Sequence, residues 1–205
     1  MNNQDKIDFI VGWITDYVSK MPNPAKSLVV GVSGGIDSAL TSTLASMTGL
    51  RTIALSMPIS TNHNNSSLSS THGKWLEDRF NNTTFMTIDL TSTYMEFNSL
   101  LINSDQGSDL GFANTKSRLR MVTLYQVAAA QSGLVVGTGN KVEDFGVGFY
   151  TKYGDGGVDI SPIADLMKSE VVSMATTLGV DEKILHAPPT DCLLYTSDAA
   201  DESDR

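Results

Sequence analysis

Short β-branched runs and helix-length amphipathic stretches alternate along this chain, and that alternation leaves it few folds to choose from. "SLVVGVS", "TIALSMP", "TFMTIDL" and "LVVGTGN" read as strands of the buried type. Between and around them lie stretches with helical spacing. "DKIDFIVGWITDYVSK" sets Ile7, Ile10, Val11, Ile14 and Val18 on one face, and "MPNPAK" stops it. Residues 37–48 predict a second helix, and "KWLEDRF" a third reached through the polar loop "ISTNHNNSSLSSTHG". A helix near 91–102 follows, then the turn-rich link "SDQGSDLG", then the long helix "NTKSRLRMVTLYQVAAAQSG" ended by Gly133. "KYGDGG" reads as a loop, and "MKSEVVSMATTLG" as a helix stopped at Gly179. Strands alternating with helices predict an α/β chain with a doubly wound parallel sheet and helices on both faces. In such sheets ligands sit beyond the carboxyl ends of the strands. Residues 33–38, 58–72, 89–91 and 138–144 are therefore the candidate site walls.

Bulk composition narrows the partners. A formal net charge of −9 and a pI near 4.6 oppose a nucleic-acid-binding surface. An acidic chain that handles phosphates must do so with local groups. No apolar run reaches the roughly 18–20 residues needed to span a bilayer, and "MNNQDKIDFIVGW" carries no cleavable apolar core. One cysteine, Cys192, leaves no disulfide framework and no cysteine-rich zinc site within one chain, which fits a reducing cytoplasm. "CLLYTSDAADE" resembles the translation of a sequencing adapter. Residues 1–191 are thus expected to form one domain and 192–205 a non-native, acidic read-through tail.

The most specific local signal is Ser33-Gly34-Gly35-Ile36-Asp37-Ser38, placed where the first strand meets the next helix. Glycines permit positive φ and close backbone approach. A helix start adds unpaired N–H groups with partial positive charge, and the combination suits a phosphate. A plain tight turn with Asp37 or Ser38 as N-cap is the bland alternative. The P-loop pattern fails for want of a lysine, and the dinucleotide fingerprint fails on spacing.

The string SGGxDS resembles the PP-loop of ATP pyrophosphatases, which cleave ATP between the α- and β-phosphates. "NTKSRLRM" (114–121), "GTGNKVEDFGVGFYTKYGDGG" (137–157), "VDISPIADLMKSEV" (158–171) and "APPTD" (187–191) extend the likeness to ammonia-dependent NAD synthetases over about residues 5–191. The resemblance implies a Rossmann-like adenine nucleotide alpha hydrolase fold. It also implies a reaction. The carboxylate of nicotinic acid adenine dinucleotide attacks the α-phosphorus of ATP, pyrophosphate leaves, and ammonia converts the acyl-adenylate to the amide of NAD with release of AMP. Little acid–base work by the protein is required, which suits three scattered histidines at 63, 72 and 186.

The resemblance assigns roles residue by residue. Gly31, Val32, Ser33, Gly34, Gly35, Ile36, Asp37 and Ser38 would line the ATP phosphates, with Asp37, Ser38 and Lys168 closest to the chemistry. Thr138, Lys168 and Thr190 would contact ATP. Asp37 and Glu143 would hold Mg²⁺, because a carboxylate beside phosphates needs a cation between them. Arg118, Lys152 and Asp159 would hold the dinucleotide. Taken without the motif, Glu143 reads as a solvated helix acid, Lys168 as a surface cation and "KYGDGG" as a flexible turn. Arg118 and Arg120 sit two apart on one helix, so their side chains diverge by about 200°. Arg118 fits the pattern, leaving Arg120 as an ordinary ion-pair residue. The family's basic C-terminal contacts have no counterpart before Asp191. The expected partners are small molecules, with no nucleic acid and no membrane. A homodimer follows from the resemblance alone. Other PP-loop ligases, such as GMP synthetase subunits, and a non-catalytic nucleotide sensor are the alternatives.

Overall fold

The computed structural model describes residues 1–59, 64–148 and 150–187. Four parallel strands, β1 (Ser27–Gly31), β2 (Arg51–Ser56), β3 (Thr83–Thr87) and β4 (Gly133–Val136), form a sheet in the order β3-β2-β1-β4. Helices α1 (Asn3–Ser19), α2 (Ile36–Met47), α3 (Asn64–Arg79), α4 (Thr91–Asn103), α5 (Asp109–Ala130), α6 (Lys168–Leu178) and α7 (Glu182–Leu185) surround it. The expected doubly wound α/β architecture is the one observed.

Alternate residues of each strand choose the face. Leu28, Val30, Leu134 and Val136 pack with Ile7, Ile10, Ile14 and Val18 of α1, with α2 and with α6. Val29, Ile53 and Val135 point the other way, against Leu124, Val127 and Ala128 of α5. Burial on both faces explains why β1, β2 and β4 read as largely apolar runs, whereas β3 at the sheet edge keeps Thr84, Met86 and Thr87 exposed. Each fully buried Ile or Leu contributes on the order of 2 kcal/mol. α1 begins with a reciprocal cap: Asn2 Oδ1 accepts from the Asp5 N–H at 2.9 Å, and Asp5 Oδ2 accepts from the Asn2 N–H at 3.2 Å.

From β1 the chain winds outward through β2 to β3, then returns across the opposite face through α4 and α5 to place β4 beside β1. The strand order therefore reverses between β1 and β4, and their carboxyl ends open a crevice there.

Two departures from the sequence reading stand out. The polar stretch read as a loop is largely helical, since α3 begins at Asn64. Ser and Asn are weak helix formers, but the buried side of α3 is satisfied internally. Ser69 bonds Ser56 at 3.0 Å, His72 bonds Ser42 at 3.0 Å, and His72 stacks on Trp75. Gly73 lets α3 lie against the Phe85 ring of β3, where any Cβ would collide. The second departure is a π-helical turn, Val142–Val147, where a plain loop running into a helix had been expected. A short segment at Ile160 also runs parallel beside β4, tied by Gly137 N–H to Ile160 O at 2.8 Å.

Candidate active site

The loop after β1 is built by its own side chains. Ser38 Oγ donates to Gly35 O at 2.8 Å, accepts from the Ser33 N–H at 3.2 Å and meets Ser33 Oγ at 3.1 Å. Ser38 is thus the internal tie of the loop, buried at 4% exposure. Gly34 has φ +91°, and a Cβ there would approach Leu68 Cβ at 3.0 Å and Ser69 N at 3.1 Å. Conformation and space both demand glycine at that position. The N-cap of α2 is Gly35, with no side-chain cap, so neither Asp37 nor Ser38 caps the helix. The first N–H groups of α2 remain available to an anion.

Asp37, in the first turn of α2, meets residues from two other elements. Lys168 Nζ, at the start of α6, lies 2.5 Å from Asp37 Oδ2 and 3.0 Å from Glu143 Oε1 of the π-helical turn. Asn140, in the turn after β4, donates from Nδ2 to Asp37 Oδ1 at 3.0 Å. Its Oδ1 accepts from the Val142 and Glu143 N–H groups at 3.0 and 3.2 Å. Burial works to lower the Lys168 pKa, but the charges of Asp37 and Glu143 outweigh it and hold the ammonium above its ordinary value. Asp144, beside them, is pushed up to about 6 by burial and by the charges of Glu143, Asp155 and Asp37. The crevice between β1 and β4 is therefore acidic and partly shielded from water, with Lys168 as its cation.

Asn140 was missed by sequence reasoning. It is fully buried, and the GTGN string was the available signal: a polar amide ending a glycine turn at a switch point has a partner to find. The π-helical geometry of Val142–Val147 had no sequence signal.

A magnesium ion fits these residues on donor chemistry. Among the described residues no cluster of three or more His, Cys, Asp or Glu surrounds one point. Asp37 Oδ2 and Glu143 Oε1 nevertheless converge on one cation, the Lys168 ammonium. Two hard oxygen ligands with the remainder from phosphate and water is a usual arrangement for Mg²⁺.

Arg118 and Lys152 come together, with Arg118 Nε donating to Lys152 O at 3.3 Å. Arg120 diverges as its spacing requires and donates from Nε to Met57 O at 3.1 Å. Asp159 is engaged by the protein itself: Oδ1 accepts from Tyr125 Oη at 3.0 Å and Oδ2 from the Val135 N–H at 2.8 Å. Burial and the Asp159 carboxylate push the Tyr125 phenol up to about 12. Thr138 lies half-buried in the turn after β4. Thr190 and residues 192–205 lie outside the described residues.

A glycine loop feeding an uncapped helix start at the switch point of a parallel sheet, faced by two carboxylates and a lysine, defines a nucleotide-handling α/β protein of the PP-loop class. The NAD synthase family model matches residues 6–204, and the chain belongs to that family. It is 36% identical over 208 residues to the NH(3)-dependent NAD(+) synthetase of Mesoplasma florum, covering 100% of this chain and 80% of that one. Its fold is similar to the NMN synthetase of Francisella tularensis, with a TM-score of 0.87 and 32% identity over 100% of this chain and 82% of that one. It is also similar to the NH3-dependent NAD synthetase of Campylobacter jejuni in complex with the nitrate ion, with a TM-score of 0.79 and 30% identity over 90% and 77% of the two chains.

Proposed function

We propose that this protein is a ligase that amidates deamido-NAD with ammonia at the expense of ATP, giving NAD, AMP and pyrophosphate. The observation that carries the reading is the convergence of Asp37, Glu143 and Lys168 beside the glycine loop at the β1–β4 switch point.

The reaction asks for charge stabilisation more than for proton transfer. A substrate carboxylate oxygen attacks the α-phosphorus, the bond to the β,γ-pyrophosphate breaks, and negative charge builds on the departing oxygens. The α2 N–H groups and the Gly34 backbone would receive those oxygens. Lys168, held between two carboxylates, supplies a positive charge to the same region. Ammonia then attacks the acyl carbon, a proton is lost, and AMP leaves with the former carboxylate oxygen. Asp37 and Glu143 would hold Mg²⁺, which when bound would neutralise phosphate charge. Thr138 and Thr190 are assigned to ATP. Arg118, Lys152 and Asp159 are assigned to the acidic dinucleotide.

A cytoplasmic location agrees with the acidic composition and single cysteine, and no helix among the described residues is long and apolar enough to cross a membrane. A homodimer is supported by α4, which has no buried residue yet exposes Met95, Leu100 and Ile102.

A second reading has its own support. The likeness to an NMN synthetase favours a mononucleotide substrate, with nicotinic acid mononucleotide in place of the dinucleotide. Release of AMP and pyrophosphate from Mg-ATP and ammonium, measured with each acid in turn, separates the two. Strong stimulation by deamido-NAD supports the first reading; stimulation by the mononucleotide alone replaces it, and stimulation by neither removes both.

A further inference from the structure

Residues 151–159 lie along one face of α5, joined to it at successive turns. Thr151 Oγ1 donates to Asn114 Oδ1 at 2.8 Å. Lys152 O accepts from Arg118 Nε. Ser117 Oγ donates to Asp155 Oδ1 at 2.7 Å and accepts from the Asp155 N–H at 2.8 Å. Asp155 Oδ1 also accepts from the Thr151 N–H at 2.8 Å, closing the loop on itself. Gly157 lies against Met121, and Tyr125 meets Asp159. On α5 the partners are residues 114, 117, 118, 121 and 125, a single helical stripe.

The seat is tight. A Cβ at Gly154 would fall on Ser117 Oγ and Cβ and on Thr151 Cβ. Tyr153, between Lys152 and Gly154, is held at φ +59°, a conformation costly for an aromatic residue unless its surroundings impose it. Ser117 is buried at 5% exposure, so its two bonds to Asp155 are made away from water. The clasp fixes the backbone on either side of Lys152.

We infer that Ser117 and Asp155 are positioning residues for the dinucleotide: their paired bonds clasp the 151–157 strap to α5 and so fix Lys152 beside Arg118 as one preformed anionic-substrate arm. This rests on the assignment of Arg118 and Lys152 to the dinucleotide. Preorganisation of such an arm lowers the ordering cost of binding, and small misplacements lose affinity. The clasp acts on one substrate only, because the ATP phosphates belong to the β1–α2 loop.

Two variants disturb the clasp by unrelated means. Ser117→Ala removes both bonds to Asp155, and Gly154→Ala forces the strap off α5 while leaving every polar group in place. In the full chain, each should weaken deamido-NAD by about tenfold or more in calorimetric titration, with Mg-ATP affinity changed less than about twofold. Each should also speed amide exchange over residues 151–157. Arg118→Ala, titrated in parallel, tests the assignment beneath. If it weakens deamido-NAD while Ser117→Ala and Gly154→Ala leave affinity unchanged, the clasp is only structural and the inference fails. If Arg118→Ala has no effect, the substrate assignment fails; the clasp itself then stands or falls on faster exchange at 151–157.

Discussion

Asn140 Nδ2 donates to Asp37 Oδ1 at 3.0 Å, joining the turn after β4 to the first turn of α2 across 103 residues of sequence. The same side chain receives the Val142 and Glu143 N–H groups. One buried amide thereby sets both carboxylates of the site, Asp37 directly and Glu143 through its backbone. Asn140→Ala should cost about 1–3 kcal/mol, because it leaves buried donors unpaired. Turnover should fall more than stability accounts for, with the Mg²⁺ concentration needed for half-maximal rate raised. Denaturant unfolding and Mg²⁺ titration of the rate check the two halves; an unchanged Mg²⁺ requirement would confine Asn140 to stability.

Asp37→Asn keeps the shape of the side chain and removes the charge that faces Lys168 and that the proposed reaction assigns to Mg²⁺. Activity should be largely lost while the circular dichroism spectrum stays native. Full activity would remove Asp37 from metal binding.

The proposed reaction assigns Arg118 to deamido-NAD and Lys168 to ATP. Arg118→Ala should raise KM for deamido-NAD far more than KM for ATP, and Lys168→Ala should do the reverse. Equal effects of both changes on both substrates would contradict the assignment.

His72 gives the fold a pH dependence. Its Nε2 meets Ser42 Oγ, whose own proton goes to Ser38 O at 2.7 Å, so the imidazole is a donor on that side. Burial lowers its pKa from 6.5 to about 4, against smaller raising effects from Ala39 and Asp181. The neutral form is favoured in the fold, so stability is full above pH 6.5 and falls as pH drops toward 4. The loss amounts to about 2 kcal/mol at pH 5 and about 3 kcal/mol once both states are charged. Urea unfolding at pH 7.5 and pH 5 should show this slope, and His72→Gln should lack it. A wild-type slope no steeper than that of His72→Gln would show that His72 is not buried neutral.

β1, β2 and β4 were legible because both faces of each are buried, β3 from its Thr and Phe residues although it is largely exposed, and α1, α2, α5 and α6 because their apolar positions recur at helical spacing. The N-terminal part of α3 was not, because Ser69 and His72 bury polar groups whose partners, Ser56 on β2 and Ser42 on α2, are distant in sequence. Asp37, Glu143 and Lys168 could be nominated from strings, yet their convergence depends on the β1–β4 crossover and on a π-helical turn that no local pattern announces. "NTKSRLRM" and "KYGDGG" looked like two motifs. Side chains from Asn114 to Tyr125 make them one structure, which a linear reading cannot see.

The central claim is that this site activates a carboxylate by joining it to AMP. Deamido-NAD labelled with ¹⁸O in its carboxylate, turned over with Mg-ATP and ammonium, tests it directly by mass spectrometry of the AMP released. One labelled oxygen per AMP is predicted, since the attacking oxygen leaves with the nucleotide. AMP formed at the same rate without label would contradict the account, because ATP would then be cleaved by water and not by the substrate.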